Sequence, residues 1–318
     1  MTRNTLSFVI PIFASLTSLA CDPAPMVGSD AGAATDDAYV ASDDAGPDAP
    51  LPPTRLPVGT ADRPVDINLP PAHDGTTRLP LFILLHGYSS NAAQQDAYLG
   101  FSRAVRAAGA YSILPNGTVD AGGNRFWNAS ASCCNFAGSS VDDESYLMGL
   151  IDAAEAVVPV DTTRIYFFGH SNGAFMAHRM ACNHADRIAA VGTLAGTEAM
   201  DFTCTPARPI SVLQIHGTAD ATIEYPGGRI TGSTPYVSAE EVVSRWAMRD
   251  GCDAMRTPGA VFDWDTAVAG PEATPSTYAG CDGGSAVELW TLTGSGHIPF
   301  TNATGIRSIV DWLLARHS

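Results

Sequence analysis

Lysine is absent from this 318-residue chain: all 17 basic residues are arginine, set against 33 acidic residues for a net charge of −16. The arginines stand singly and form no basic stripe, which excludes the electrostatic footprint of a nucleic-acid binder. Close C-x-x-C pairs are missing, and with them the usual ligand spacing of a structural zinc site. Neither a metal nor an organic cofactor is expected. Internal repeats are absent too. The apolar run "LSFVIPIFASLTSLA" (residues 6–20) is too short and too interrupted by Pro11 to read as a membrane span. What is present, 45% hydrophobic and 16% charged residues, supplies ample apolar material for a core.

With Arg3 before it and small residues at its end, that same run fits the apolar region of an export signal over residues 1–20. Cys21 directly after Ala20 resembles a bacterial lipoprotein box, with Ser18 where such boxes usually carry leucine. Lipidation of Cys21 would tether the chain to a membrane; the plainer reading is an ordinary residue beside the cleavage site. Setting Cys21 aside leaves Cys133, Cys134, Cys182, Cys204, Cys252 and Cys281, an even number that predicts disulfides in an exported chain. Six cysteines allow 15 connectivities. Adjacent Cys133 and Cys134 are expected to take separate partners, since a bridge between neighbours is strained.

Residues 21–56 are dominated by Ala, Asp, Pro and Gly, too poor in apolar surface to offset the entropy of ordering, and read as a disordered linker. From residue 57 to 318 the pattern changes to one catalytic-sized domain. "LPLFILLHG" (79–87) is a continuous apolar run ending in glycine, as in a buried parallel strand. "NAAQQDAYLGFSRAVRAAG" has helical spacing, and "AYSILP" reads as the next strand. Helix "DDESYLMGLIDAAEAVV", strand "TRIYFFG" and helix "GAFMAHRMACN" follow. "ISVLQIHG", "VELWTLTG" and the closing "GIRSIVDWLLARH" continue the alternation, which predicts an α/β fold with a mostly parallel sheet and helices on both faces. Residues 115–141 and 251–285 break the rhythm and are expected to loop over the carboxyl edge of the sheet, where such folds bind ligands.

Gly169-His170-Ser171-Asn172-Gly173 matches G-x-S-x-G and lies between a predicted strand and a predicted helix, the context that gives the pattern meaning. A serine hydroxyl needs a base to become a nucleophile. Of eight histidines, His73 lies in a polar loop, and His178, His184 and His317 lie on helices. His86, His170 and His216 abut glycines at strand ends, where backbone fit accounts for them. His297, in the Gly-rich loop after the last strand, is the expected base. Asp220, just past "ISVLQIHG", is the expected acid that accepts the His297 Nδ1–H and fixes its tautomer. Glu224 is second choice, and Asp253, Asp263 and Asp265 are weaker because they fall in the irregular stretch. The developing oxyanion requires two donors; the backbone N–H groups of Asn172 and Tyr88 are the candidates, with the Tyr88 ring shaping the pocket. Trp127 reads equally as a stacking surface for a substrate ring or as a core tryptophan.

"LLHGYSSN", "ILPNG", "FWN…CCN", "VDDESYL", "RIYFFGHSNGAFMAHRMAC", "IHGTAD…EYPGG" and "ELWTLTGSGH" together resemble the esterase family of polyhydroxybutyrate depolymerases and feruloyl esterases, from about residue 60 to the end. The resemblance implies an α/β-hydrolase fold with disulfide-stapled loops and a triad of Ser171, Asp220 and His297. It also implies that "SNG" and Asp142-Asp143 are family features, the two aspartates structural. It suggests a Cys252–Cys281 bridge, and bridges joining Cys133 and Cys134 to Cys182 and Cys204. The family's Trp-Pro beyond the histidine is here His297-Ile298-Pro299-Phe300, so Phe300 becomes the candidate substrate aromatic. The expected function is that of a secreted, monomeric serine esterase, feruloyl-esterase-like, on plant cell-wall polysaccharide esters. That choice rests on finding no polymer-binding module after the catalytic domain. Hydrolysis of hydroxyalkanoate esters or of acetyl xylan is the alternative; a non-catalytic tethered binding protein on the same scaffold is the alternative of another class.

Overall fold

A computed structural model describes residues 54–200, 202–230 and 232–318. The expected export signal, Cys21 and nearly all of the linker lie outside the described residues. In chain order the elements are β1 (Arg55–Pro57), β2 (Asp66–Asn68), β3 (Leu79–Leu85), α1 (Ala92–Leu99), α2 (Phe101–Ala107), β4 (Tyr111–Ile113), β5 (Thr118–Val119), β6 (Arg125–Phe126) and α3 (Asp143–Val157). There follow β7 (Val160–His170), α4 (Asn172–Asn183), β8 (Ala190–Leu194), β9 (Ser211–Gly217), α5 (Ala239–Arg249), β10 (Arg256–Pro258), β11 (Ala273–Tyr278), β12 (Val287–Leu292) and α6 (Ala303–Leu314).

The main sheet runs β1-β2-β4-β3-β7-β8-β9-β12-β11-β10. From β4 to β12 every pairing is parallel; β1, β2, β10 and β11 join antiparallel at the two edges. Side-chain alternation divides the central strands cleanly. Leu81, Ile83 and Leu85 of β3 and Ile165 and Phe167 of β7 pack with α3, α4 and α5. Phe82, Leu84, Tyr166 and Phe168 pack with α1, α2 and α6. A strand buried on both faces has no polar phase, which is why these segments read as continuous apolar runs.

Three departures from the sequence reading have physical causes. The helical stretch after β3 is two helices, because Gly100 adopts a left-handed conformation (φ 63°) and closes α1 with its N–H on Asp96. The 251–285 stretch contributes two strands to the sheet: β11 pairs antiparallel with β12 along six residues, and β10 with β11. Thr, Pro and Ser on these strands suit positions at or near the sheet edge and conceal the strand period. The third concerns cysteine. Cys182, near the end of α4, bonds to Cys204 at a Cα separation of 5.6 Å, and Cys133 bonds to Cys134, so the expected cross-pairing of these four is wrong. The end of α4 presents Cys182 within ordinary disulfide reach of residue 204, which leaves the adjacent pair to each other. Cys252–Cys281 is bonded as expected.

Asp142 and Asp143 are structural. The Asp142 carboxylate caps α3 by accepting the Ser145 N–H at 2.9 Å. Buried Asp143 accepts from Arg63 at 2.6 Å and from the Asn128 N–H at 2.8 Å, joining the N-terminal segment to the 115–141 loop. Glu144, on the same turn, works against its burial: the nearby His184 and hydrogen bonds from Asn183 and Arg179 hold its pKa down at about 2. A depressed carboxylate stabilises the fold above its ordinary pKa and loses that contribution as pH falls through the folded value. Glu144→Gln is therefore expected to flatten the loss of stability between about pH 4.5 and 2, as measured by urea unfolding across that window; an unchanged slope would exclude the contribution.

Candidate active site

Ser171 sits between the end of β7 and the start of α4 at φ 55°, ψ −120°, a conformation rare outside glycine. Holding it costs about 1–3 kcal/mol, which the surroundings must over-determine. They do so by removing side chains. A Cβ on Gly169 would collide with the Gly173 backbone, and a Cβ on Gly173 with the backbone of Leu85 and His86. The Ser171 N–H is anchored on the Leu194 carbonyl of β8 at 2.8 Å. The strand and helix of the turn can thus approach each other only because of the two flanking glycines.

The three chemically expected side chains meet here. Ser171 Oγ lies 2.9 Å from His297 Nε2, and His297 Nδ1 lies 2.8 Å from Asp220 Oδ2. Asp220 is buried, and its Oδ1 accepts the backbone N–H groups of Thr222 and Ile223 at 2.8 and 2.9 Å. Burial alone would raise its pKa. Hydrogen bonds from His216 and His297, together with the field of His297 and the Thr222 N–H, hold it instead well below the usual carboxylate range. Glu224, Asp253 and Asp263 take no part in this line. Asp265 is placed to order the segment after the histidine, accepting the Phe300 N–H at 2.9 Å.

The loop after β3 comes up against the serine, where a Cβ on Gly87 would stand 3.2 Å from that of Ser171. The next N–H, of Tyr88, and that of Asn172 at the start of α4 engage no loop or side-chain acceptor among the described residues. The Tyr88 hydroxyl donates to Asp120 at 2.8 Å, and its ring lies edge-on to Phe136. A cavity of about 270 Å³ opens at Ser171 and His297, walled by Tyr88, Gln94, Gln95, Tyr98, His170 and Ile298.

Two expected substrate residues are placed otherwise. Trp127 is fully buried and unavailable for stacking. Its indole N–H donates to the His86 carbonyl at 3.0 Å, and its backbone exchanges hydrogen bonds with the Asn172 side chain at 2.6 and 3.0 Å. It pins the 115–141 loop to the nucleophile turn. Phe300 is exposed, but the residue beyond the histidine that walls the cavity is Ile298. Sequence reasoning also passed over His170. Its Nε2–H donates to the His297 carbonyl at 3.0 Å, and the two rings lie 5.2 Å apart. Burial, with the nearby His297, lowers its pKa to about 4, so it packs there as a neutral ring. The only signal was its place inside G-x-S-x-G.

A strained serine on a strand–helix turn, in line with a histidine and a buried aspartate above a parallel sheet, defines an α/β-hydrolase. The fold agrees with that of the acetyl xylan esterase from Aspergillus awamori, at TM-score 0.56 and 15% identity over 80% of this chain and 95% of that one. Residues 65–220 match the family described as esterase PHB depolymerase. It is 28% identical over 246 residues to Feruloyl esterase B of Piromyces equi, covering 74% of this chain and 42% of that protein. It is 22% identical over 234 residues to the bifunctional acetylxylan esterase/xylanase XynS20E of Neocallimastix patriciarum, covering 74% of this chain and 31% of that protein. The chain thus spans less than half of the length of either relative.

Proposed function

We propose that the chain is a serine esterase of feruloyl-esterase type that cleaves acyl groups from plant cell-wall polysaccharide esters. The observation that carries the esterase reading is the unbroken line Ser171–His297–Asp220 at 2.9 and 2.8 Å. His297 Nε2 takes the Ser171 proton as Oγ attacks the ester carbonyl, and Asp220 holds the Nδ1–H and stabilises the imidazolium. The oxyanion is received by the N–H groups of Tyr88 and Asn172, the second at a helix N-terminus. His297 then protonates the departing alcohol. Water, activated by the same ring, releases the acid and restores the serine.

The substrate class is supported by the feruloyl and acetylxylan esterases among the relatives and by a cavity whose walls include Tyr88, Tyr98 and Ile298. Aromatic and aliphatic walls suit an aromatic acyl group. Hydrolysis of hydroxyalkanoate esters is the competing reading, since it belongs to the name of the matched family. A release panel of methyl ferulate, acetylated xylan and a 3-hydroxybutyrate oligomer decides between them. Methyl ferulate is expected to be cleaved with the highest kcat/KM, and preference for the oligomer would reverse the assignment. Three disulfides favour an oxidising, extracytoplasmic setting. Export with lipidation of Cys21 is part of the proposal, and mass spectrometry of the mature N-terminus tests it: an unmodified peptide beginning at or after Cys21 excludes the lipid.

A further inference from the structure

Behind Asp220 a row of buried polar side chains crosses from the helical layer to the site. On strand β9, Gln214 and His216 point toward α4 and α5, where an apolar face would be expected; both are fully buried, as is Thr193 beside them on β8. The Trp246 indole of α5 stands 3.1 Å from His178 Nδ1 on α4, and His178 Nε2 stands 3.1 Å from Gln214 Oε1. Gln214 Nε2 donates to the Gly196 carbonyl at 2.8 Å and reaches His216 Nδ1 at 3.2 Å. His216 Nε2 lies 2.8 Å from the Ile223 carbonyl and 3.3 Å from Asp220 Oδ2.

Only one arrangement of protons satisfies this row. An indole N–H can only donate, so His178 Nδ1 accepts and its proton sits on Nε2, facing Gln214 Oε1. Thr193 Oγ1, 2.8 Å from the same oxygen, fits that orientation. The amide nitrogen of Gln214 then faces His216 Nδ1, which must accept, so the His216 proton is on Nε2, which donates to the Ile223 carbonyl at 2.8 Å and lies 3.3 Å from Asp220 Oδ2. Every donor therefore points toward the carboxylate, and a chain of aligned hydrogen bonds polarises each successive member.

We propose that His216 is a positioning residue, a second imidazole donor that orients Asp220 opposite His297, and that Trp246, His178 and Gln214 lock its tautomer. The inference rests on the serine-esterase reading and deepens it. Asp220 Oδ2 accepts from His297 at 2.8 Å and has His216 Nε2 within 3.3 Å, while Oδ1 is held by two backbone N–H groups. The carboxylate is thereby fixed as an acceptor on both oxygens and cannot rotate away from His297. Its effect on the reaction is exerted through Asp220 and His297; His216 touches no reacting atom.

The test compares steady-state hydrolysis of p-nitrophenyl acetate by full-length variants. His216→Met, of similar length with no donor, is expected to lower kcat by about tenfold or more, the size of a hydrogen bond to a charged group, with KM little changed. His216→Gln, which restores an N–H near the position of Nε2, is expected to recover most of that loss. The low-field proton resonance of His297 Nδ1–H should move in the Met variant and return in the Gln variant. Full kcat and an unmoved resonance in His216→Met, or equal deficits in Met and Gln variants of equal stability, would overturn the proposal. Should His216→Met fail to fold, Trp246→Phe carries the test, since it removes the first donor while keeping a ring on His178: a fall in kcat at unchanged KM supports the locked row, and wild-type kcat refutes it. Ser171→Ala is assayed alongside. If it loses turnover while the His216 and Trp246 variants keep it, this inference alone falls; if it keeps turnover, the esterase reading falls as well.

Discussion

Ser171→Ala is expected to lower kcat for p-nitrophenyl acetate by about 10⁴-fold or more, leaving the unfolding midpoint close to that of the parent. The size follows from cooperation. Without Oγ there is no acyl-enzyme, and the base 2.9 Å away has no proton to take. His297→Ala should fall to a similar residual rate, and the double variant little further, because the members of such a line act as a unit. Residual turnover would come from the two oxyanion donors and from binding alone. A Ser171→Ala enzyme keeping a tenth or more of parental activity after re-purification would mean that another nucleophile performs the reaction, and the proposed mechanism would have to be abandoned.

The second large effect concerns a residue that touches no substrate. Trp127→Ala is expected to destabilise the fold by about 3–5 kcal/mol, the usual cost of removing a fully buried tryptophan, read from the urea midpoint at constant slope. Activity should fall at temperatures where the variant is still folded. Trp127 ties the 115–141 loop to Asn172, the residue after the nucleophile, and donates to the His86 carbonyl next to the loop that supplies Tyr88. Loosening it should let both oxyanion donors drift. Trp127→Phe separates the two roles, since it keeps most of the apolar volume and loses only the indole donor. A change of under about 1 kcal/mol in Trp127→Ala would be too small for a pinned core residue and would contradict the account.

How much of this was legible beforehand depended on how local the cause was. The parallel strands announced themselves because burial on both faces erases the polar phase of a strand, as in "LPLFILL". Ser171 was legible because the steric demand at its turn is written in two glycines within two residues of it. Asp220 and His297 could be named from their order and from their place after strands β9 and β12, since carboxyl-edge loops of a parallel sheet converge. β11 was not legible, because a half-buried strand near the sheet edge containing Thr274, Pro275 and Ser276 lacks an apolar period.

His216 marks the limit most clearly. Its adjacency to Gly217 gave a sufficient local reason for it, and nothing in the string of residues says that its ring meets an aspartate four positions later and a glutamine two positions earlier. The cysteines failed for the same reason: pairing depends on where the end of α4 brings Cys182, a distance in space and not along the chain. By itself the sequence determined the alternation of strands and helices, the turn at Ser171 and the choice of Asp220 and His297 as its expected partners, because each follows from local sterics or from the order of elements along a parallel sheet. Only the tertiary structure decided that Trp127 is a pin and not a platform, which cysteines bond, and that a row of buried donors ends on Asp220. Those facts depend on side chains from distant segments arriving within 3–4 Å of each other, a condition that no single stretch of sequence contains.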